Sequence, residues 1–402
     1  MLPKRFSYPS PGFSEYWQSV VGKKMLAKLG FIPTPEKIEM YGKLLLETDS
    51  VGNEVVMSVF ETMGYQKAHQ LLNEILKEGI DKVENVPAPM KQLFAEADVL
   101  PPWLDEELME AGAAFCRRTG PFGFIVLRNY CLMGGYESAA INKPLIYTGA
   151  LKKGAARRMA DTLDFWVNVT GQAAMKRFAP GFASTVKVRM IHAFSRIYIH
   201  KNPEWNNEAL GSPINQGDMV ATNLGFSIVF LEGIRRVGFR PTENEVKGLF
   251  HFWKYIGYLL GIPPEYLPDT EEQAIERLYK WTISQPMADE DTQTLAQALM
   301  NEPKLASFPK YTWQKRLLIK VHLGYNYYFL KNRACKTMGL PPTLFRYLPY
   351  GAAFINELKE YFVLSNPSSY NRAVNTGRKS QEKIRELFLR GHESLKVRPK
   401  HE

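Results

Sequence analysis

Apolar residues recur at three- and four-residue steps along most of this chain, and no run of alternating apolar and polar positions stands out. That spacing predicts helices rather than strands. It is clear in "KIEMYGKLLLETD" and "YQKAHQLLNEILKEGI", within an opening segment that reads as helical to about Asn85. "VENVPAPMKQLF" reads as a loop leading into "ADVLPPWLDEELMEAGAAFCRRTG", where Asp105 is the expected N-cap. "PFGFIVLRNYCLMGGYESAA" is apolar throughout and reads as a buried helix. "GALKKGAARRMADTLDFWVNVTGQAAM" is amphipathic, with Arg158, Thr162, Phe165, Trp166 and Val169 on one side. A polar loop from Lys201 leads into a further apolar helix ending near Ile234. "TENEVKGLFHFWKYIGYLLGI" opens with a capping box, Thr242 and Glu245, and stops at Gly261 before Pro263 and Pro264. The remainder alternates helical patterns with Pro-bounded loops.

One helix is unusual. In "STVKVRMIHAFSRIYIH" the positions from Val186 to Ile199 are apolar almost all the way round, which marks a core helix. Yet Arg189, His192, Arg196 and His200 fall close to a single stripe. Buried polar groups need partners, so this stripe asks what satisfies it.

Composition narrows the class. The 402 residues include 45% hydrophobic and 23% charged, ordinary for a globular protein, with the formal net charge at +10. A basic excess suits anionic cofactors, membrane surfaces or nucleic acid without choosing among them. The pattern predicts one interlocked helical body over residues 1–402. Three cysteines, Cys116, Cys131 and Cys335, form no CxxC pair and read as reduced thiols. The N-terminus has no apolar signal core, and the most apolar stretches are about half the ~20 residues of a spanning helix. The expectation is a cytoplasmic protein with at most peripheral membrane contact. The sequence lacks HExxH, GxxxxGK[ST], GxSxG and a GxGxxG after a strand. The basic tail from Thr376 reads as a solvated helix and fray, and nucleic acid is not expected as a partner.

His192 and His251 lie in strongly apolar helical patterns. The bland fate of such a residue is a core imidazole hydrogen-bonded to a neighbour. The sharper one is a metal ligand, because burial and the two flanking arginines favour the neutral, donating ring. No second or third ligand lies at zinc spacing. Haem asks the protein for one axial ligand, and its propionates ask for guanidiniums such as Arg189 and Arg196. The helix with Arg158, Thr162 and Trp166 is then a candidate opposite wall.

"RRMADT" (Arg157 to Thr162) and "RMIHAFSR" (Arg189 to Arg196) resemble the signature of the latex clearing protein and MpaB family of haem-dependent oxygenases. "SPINQGDMVATNLGFS" and "HFWKYIGYLLGIPPEYLP" resemble the segments that follow in that family, so the likeness runs from about Pro102 to Pro268. The resemblance implies an all-α helical bundle with a globin-like core around a buried haem b, His192 being the proximal ligand, with the haem-binding catalytic core over 100–270 and helical flanks 1–99 and 271–402 packed on it. Arg158, Thr162 and Arg189 match the signature Arg, Thr and Arg and are assigned to the haem pocket with Trp166 and Arg196. The implied activity is oxygenation or cleavage of a C=C bond in a hydrophobic, isoprenoid- or lipid-like molecule by O2.

The chain departs from the rubber-cleaving members. They resemble one another in a Lys just before the Thr and a Glu upstream. Here Asp161 precedes Thr162, and the upstream neighbourhood offers Glu137, Asn142 and Lys143. Glu137 or Asp161 is the candidate base, and rubber itself is not the expected substrate. A haem protein without oxygenase activity (peroxidase-like, sensor or carrier) stays open, as does a cofactor-free helical scaffold. Simple readings also stand for Thr162, a hydroxyl bonded back to a carbonyl, and for Arg158, an ion pair with Asp161 or Asp164.

Overall fold

The structure is a computed structural model that describes residues 1–8, 10, 13–149, 155–306 and 308–389. The far end of the basic tail, 390–402, lies outside the described residues, as do His392 and His401. Every element among the described residues is helical, so the protein is all-α. It folds as two compact units, each assembled from three chain segments. Unit 1 comprises Met1–Gly112, Gly171–Leu224 and Lys247–Pro286; unit 2 comprises Ala113–Thr170, Gly225–Val246 and Met287–Glu402.

In unit 1 the core gathers Ile38, Leu72, Phe94, Phe182, Val186 and Trp253, all buried. The Pro180–His200 helix starts with Pro180, whose missing N–H costs nothing in a first turn. Arg177, just before it, lies over the rings of Phe94, Phe178 and Phe182 and donates to the carbonyls of Ile75 and Leu76. It thereby satisfies the C-terminal end of the Tyr65–Glu78 helix. Pro180–His200 packs on Ser50–Val55 and on the π-helical turn Val56–Phe60, where Phe60 meets Phe194 edge-on at 4.7 Å. Elsewhere in the unit Gly112 and Gly248 touch backbone to backbone. A Cβ on Gly112 would stand 2.1 Å from the Gly248 carbonyl oxygen.

Two sequence expectations meet different outcomes here. Asp105 does cap its helix, accepting from the Leu108 amide at 2.9 Å. The stretch read as a loop before it is in large part the helix Ala88–Ala97. Pro87 and Pro89 suggested a break, but they sit at the N-cap and first turn, where proline is compatible with a helix.

Unit 2 is built on Phe115, Val126, Met133, Trp166 and Phe230, again buried. "PFGFIVLRNYCLMGG" is helical as expected, but its middle, Leu127–Leu132, is π-helical, as is Gly225–Val229 against it. The capping box forms: Thr242 N–H donates to Glu245 at 2.8 Å and Glu245 N–H to Thr242 Oγ1 at 3.2 Å. Glu245 also binds buried Arg118, which a second carboxylate, Glu360, approaches from the Leu348–Val363 helix. The three cysteines are free thiols.

Candidate functional site

The polar stripe of Pro180–His200 is satisfied from far away in sequence. Arg189 holds Asp49 with two parallel bonds of 2.8 Å, from Nε and Nη2, and its Nη2 also reaches Glu96 at 2.9 Å. Asp49 is at the same time the N-cap of Ser50–Val55, accepting from the Gly52 amide at 3.0 Å. One carboxylate thus fixes both the helix start and the guanidinium. Burial alone would lower the pKa of Arg189, but the bonds and charges of Asp49 and Glu96 raise it, so the guanidinium stays charged. Gly261 closes over this pair with a left-handed φ of 84°, and a Cβ there would lie 2.6 Å from the Asp49 carboxyl and 2.7 Å from Arg189.

Arg196 donates from Nε and Nη2 to the Ile214 carbonyl, each at 3.1 Å, and from Nη1 to Asn53 at 2.7 Å. Ile214 has φ 49°, a costly conformation for a β-branched residue, and the guanidinium fork grips the carbonyl of that same residue. Burial lowers the pKa of Arg196 to about 10, Asp49 opposing and Arg189 adding to the fall.

Between these engaged arginines His192 is left over. Its Nδ1 is buried with no hydrogen-bond partner among the described residues. Burial first, then the charge of Arg196, pushes the ring down to about 4, against a weaker pull from Asp49. The imidazole is therefore neutral near pH 7, with a lone pair to give. His251, the other histidine in an apolar pattern, has the bland fate, its Nε2 accepting from the Asp105 amide at 2.8 Å.

The remaining sequence-predicted site residues belong to unit 2. On the helix Ala155–Val169, Thr162 Oγ1 donates to the Arg158 carbonyl one turn back at 2.9 Å. Arg158 extends to Tyr136, 3.2 Å from its hydroxyl and 5.8 Å above its ring centroid, rather than to Asp161 or Asp164. Asp161 lies 3.9 Å from Arg157 on its own helix, and Glu137 is ion-paired with Arg333. Lys143 is held by Asp289 and Asp291, and Asn142 donates to the Tyr136 carbonyl. Trp166 is fully buried between Phe124 and Phe230, and its Nε1 has no partner among the described residues. Sequence reasoning missed Asp49, Glu96, Asn53 and Ile214, because nothing local links them to Arg189 and Arg196.

The model of the family "ER-bound oxygenase mpaB/B'/Rubber oxygenase, catalytic domain" matches residues 117–355, more than half of the chain. The protein is a member of this oxygenase family. That span contains both the RRMADT and the RMIHAFSR segments. A relative, the "Rubber oxygenase" of Streptomyces sp. (strain K30), is 24% identical over 230 residues, covering 56% of each chain. The chain thus matches little more than half the length of that relative. Among solved structures, latex clearing protein LCP in the closed state aligns with a TM-score of 0.67 at 19% identity, over 86% of this chain and 91% of that one. The all-α fold of this family member is therefore that of a known architecture. No helix among the described residues is long and apolar enough to cross a membrane.

Proposed function

We propose that the protein is a haem b-dependent oxygenase that uses O2 to cleave or oxygenate a C=C bond in a hydrophobic, isoprenoid- or lipid-like molecule. The observation that carries the reading is His192: a neutral imidazole with an unpartnered buried nitrogen, set between two arginines that are already engaged. Among the described residues no three His, Cys, Asp or Glu gather into a metal-binding group, so a metal here is one that needs few protein ligands. Haem would ask the protein for a single imidazole, and His192, with its unpartnered buried nitrogen, is the residue that would hold it. When bound, haem supplies the oxygen-activating chemistry.

The chain's own residues do the rest. Arg189 and Asp49 hold the helix in rotation, so that the ring stays where it is set. Because Asp49 and Glu96 take up Arg189, its role is to position His192 rather than to bind a propionate. Arg158, Thr162 and Trp166 are carried as pocket residues by the family signature. Asp161 or Glu137 would be the base for the allylic proton, a task to which a carboxylate is suited.

A haem carrier without oxygenase activity is favoured by one observation: Glu137 is already neutralised by Arg333, and Asp161 stands where the rubber-cleaving members have Lys. Incubating the haem-loaded protein with O2 and a long polyunsaturated isoprenoid separates the readings. Chain-shortened aldehydes or ketones, absent with His192→Ala, are expected. Full haem loading with no carbonyl product from the wild type would assign the carrier role instead.

A further inference from the structure

The helix Leu348–Val363 is folded with its polarity reversed. Beyond Pro349 in its first turn, its buried residues are polar: Asn356 donates to the Val237 carbonyl at 2.8 Å, while Glu360 accepts from Arg118 and from the Arg240 amide. Its outward stripe is apolar. Tyr347, at the cap, then Tyr350, Phe354, Leu358 and Tyr361 follow at three- and four-residue steps, each between 53% and 73% exposed. A helix on a globular surface normally shows the opposite arrangement. Rotation cannot correct it, because turning the stripe inward would take Glu360 away from Arg118, whose side chain is only 1% exposed.

The charge around the stripe says what covers it. Residues 310–364 carry nine Lys or Arg and two Glu, and one of those two, Glu360, is used inward. The Thr312–Thr337 helix, packed against Leu348–Val363, exposes Trp313, Arg316 and Lys320. A second copy of the chain would set this basic surface against itself, which repels. Aromatic rings with polar tips, apolar side chains along one stripe and a basic surround suit the headgroup level of an anionic bilayer.

We propose that Leu348–Val363 docks in the plane of an anionic lipid surface, with the stripe in the acyl boundary and the neighbouring Lys and Arg on the phosphates. None of the residues used here belongs to the proposed oxygenase site, so the two readings stand or fall separately.

The test is co-sedimentation of the full chain with vesicles of phosphatidylcholine alone or with a third phosphatidylglycerol. The protein pellets with the anionic vesicles, remains in the supernatant with the neutral ones, and is released by salt. Phe354→Ser with Leu358→Ser lowers binding about tenfold or more at an unchanged melting temperature, since both side chains are already in water. Arg316→Gln with Lys320→Gln lowers it by about tenfold through charge alone. Light scattering after size exclusion is run on the same samples. Failure of the wild type to pellet with anionic vesicles would overturn the proposal, as would binding unaffected by both double variants. A solution dimer that Phe354→Ser with Leu358→Ser dissociates would assign the face to a protein contact instead.

Discussion

Two helical histidines, one in each unit, have reached different ends. His322 of unit 2 has a partner: its Nδ1 is 3.0 Å from the Asn129 side-chain amide, Asn326 donates to the Asn129 carbonyl, and neighbouring Arg128 pairs with Glu302. His192 of unit 1 is flanked by two engaged guanidiniums, Arg189 with Asp49 and Arg196 with Ile214, yet its own Nδ1 bonds to neither set of partners. Both rings are pushed below the ordinary histidine range, burial being the first cause in each. A shifted pKa therefore does not distinguish them. What distinguishes them is whether the buried Nδ1 has a partner, and a fold that engages Arg189 and Arg196 but omits the imidazole between them has left that ring for something else.

The largest test of this contrast is removal of the group that sets His192 in place. Arg189→Ala strands the buried Asp49 carboxylate and is expected to cost about 3–5 kcal/mol in urea unfolding, as for other broken buried pairs. A loss near zero would mean that the pair does not position the helix. Next is the pH response of the satisfied imidazole. Burial and then Arg128 keep folded His322 unprotonated, whereas the unfolded chain takes up that proton near pH 6.5. The unfolded state then binds more protons, so this contribution is present above about pH 6.5 and is lost as the solution is acidified below it. His322→Gln keeps an acceptor near Asn129 without the titration, so its urea midpoint should fall less between about pH 7.5 and 5 than the wild type's. Equal falls would remove the ring from the account. The smallest effect on stability is expected from Thr162→Val, which deletes only a bond to the carbonyl one turn back and should cost about 1 kcal/mol or less. Any marked loss of turnover in that variant is then a site effect.

The fold was largely legible because helical spacing is a local signal. The capping box at Thr242 and the Asp105 cap could be read directly, and both form. The Ala88–Ala97 helix was hidden by prolines that turn out to occupy its cap and first turn. The stripe of Arg189, His192 and Arg196 was visible, but its partners were not, since Asp49 lies 140 residues from Arg189 and only tertiary packing unites them. The same limit applies to Leu348–Val363: its two faces are plain in the sequence, but which one turns inward is decided by Arg118, far away in the chain. The π-helical turns Val56–Phe60, Leu127–Leu132 and Gly225–Val229 carry no spacing signal of their own. On Ala155–Val169 the bland reading of Thr162 is the one realised, and Arg158 meets Tyr136, a partner that spacing along its own helix does not reveal.

The central claim is that His192 ligates haem iron, and an optical spectrum tests it most directly. Wild-type protein expressed with ample haem is expected to purify red with a Soret band, and His192→Ala to lose most of that pigment while keeping its helical circular dichroism. Equal haem content in the two proteins would contradict the assignment.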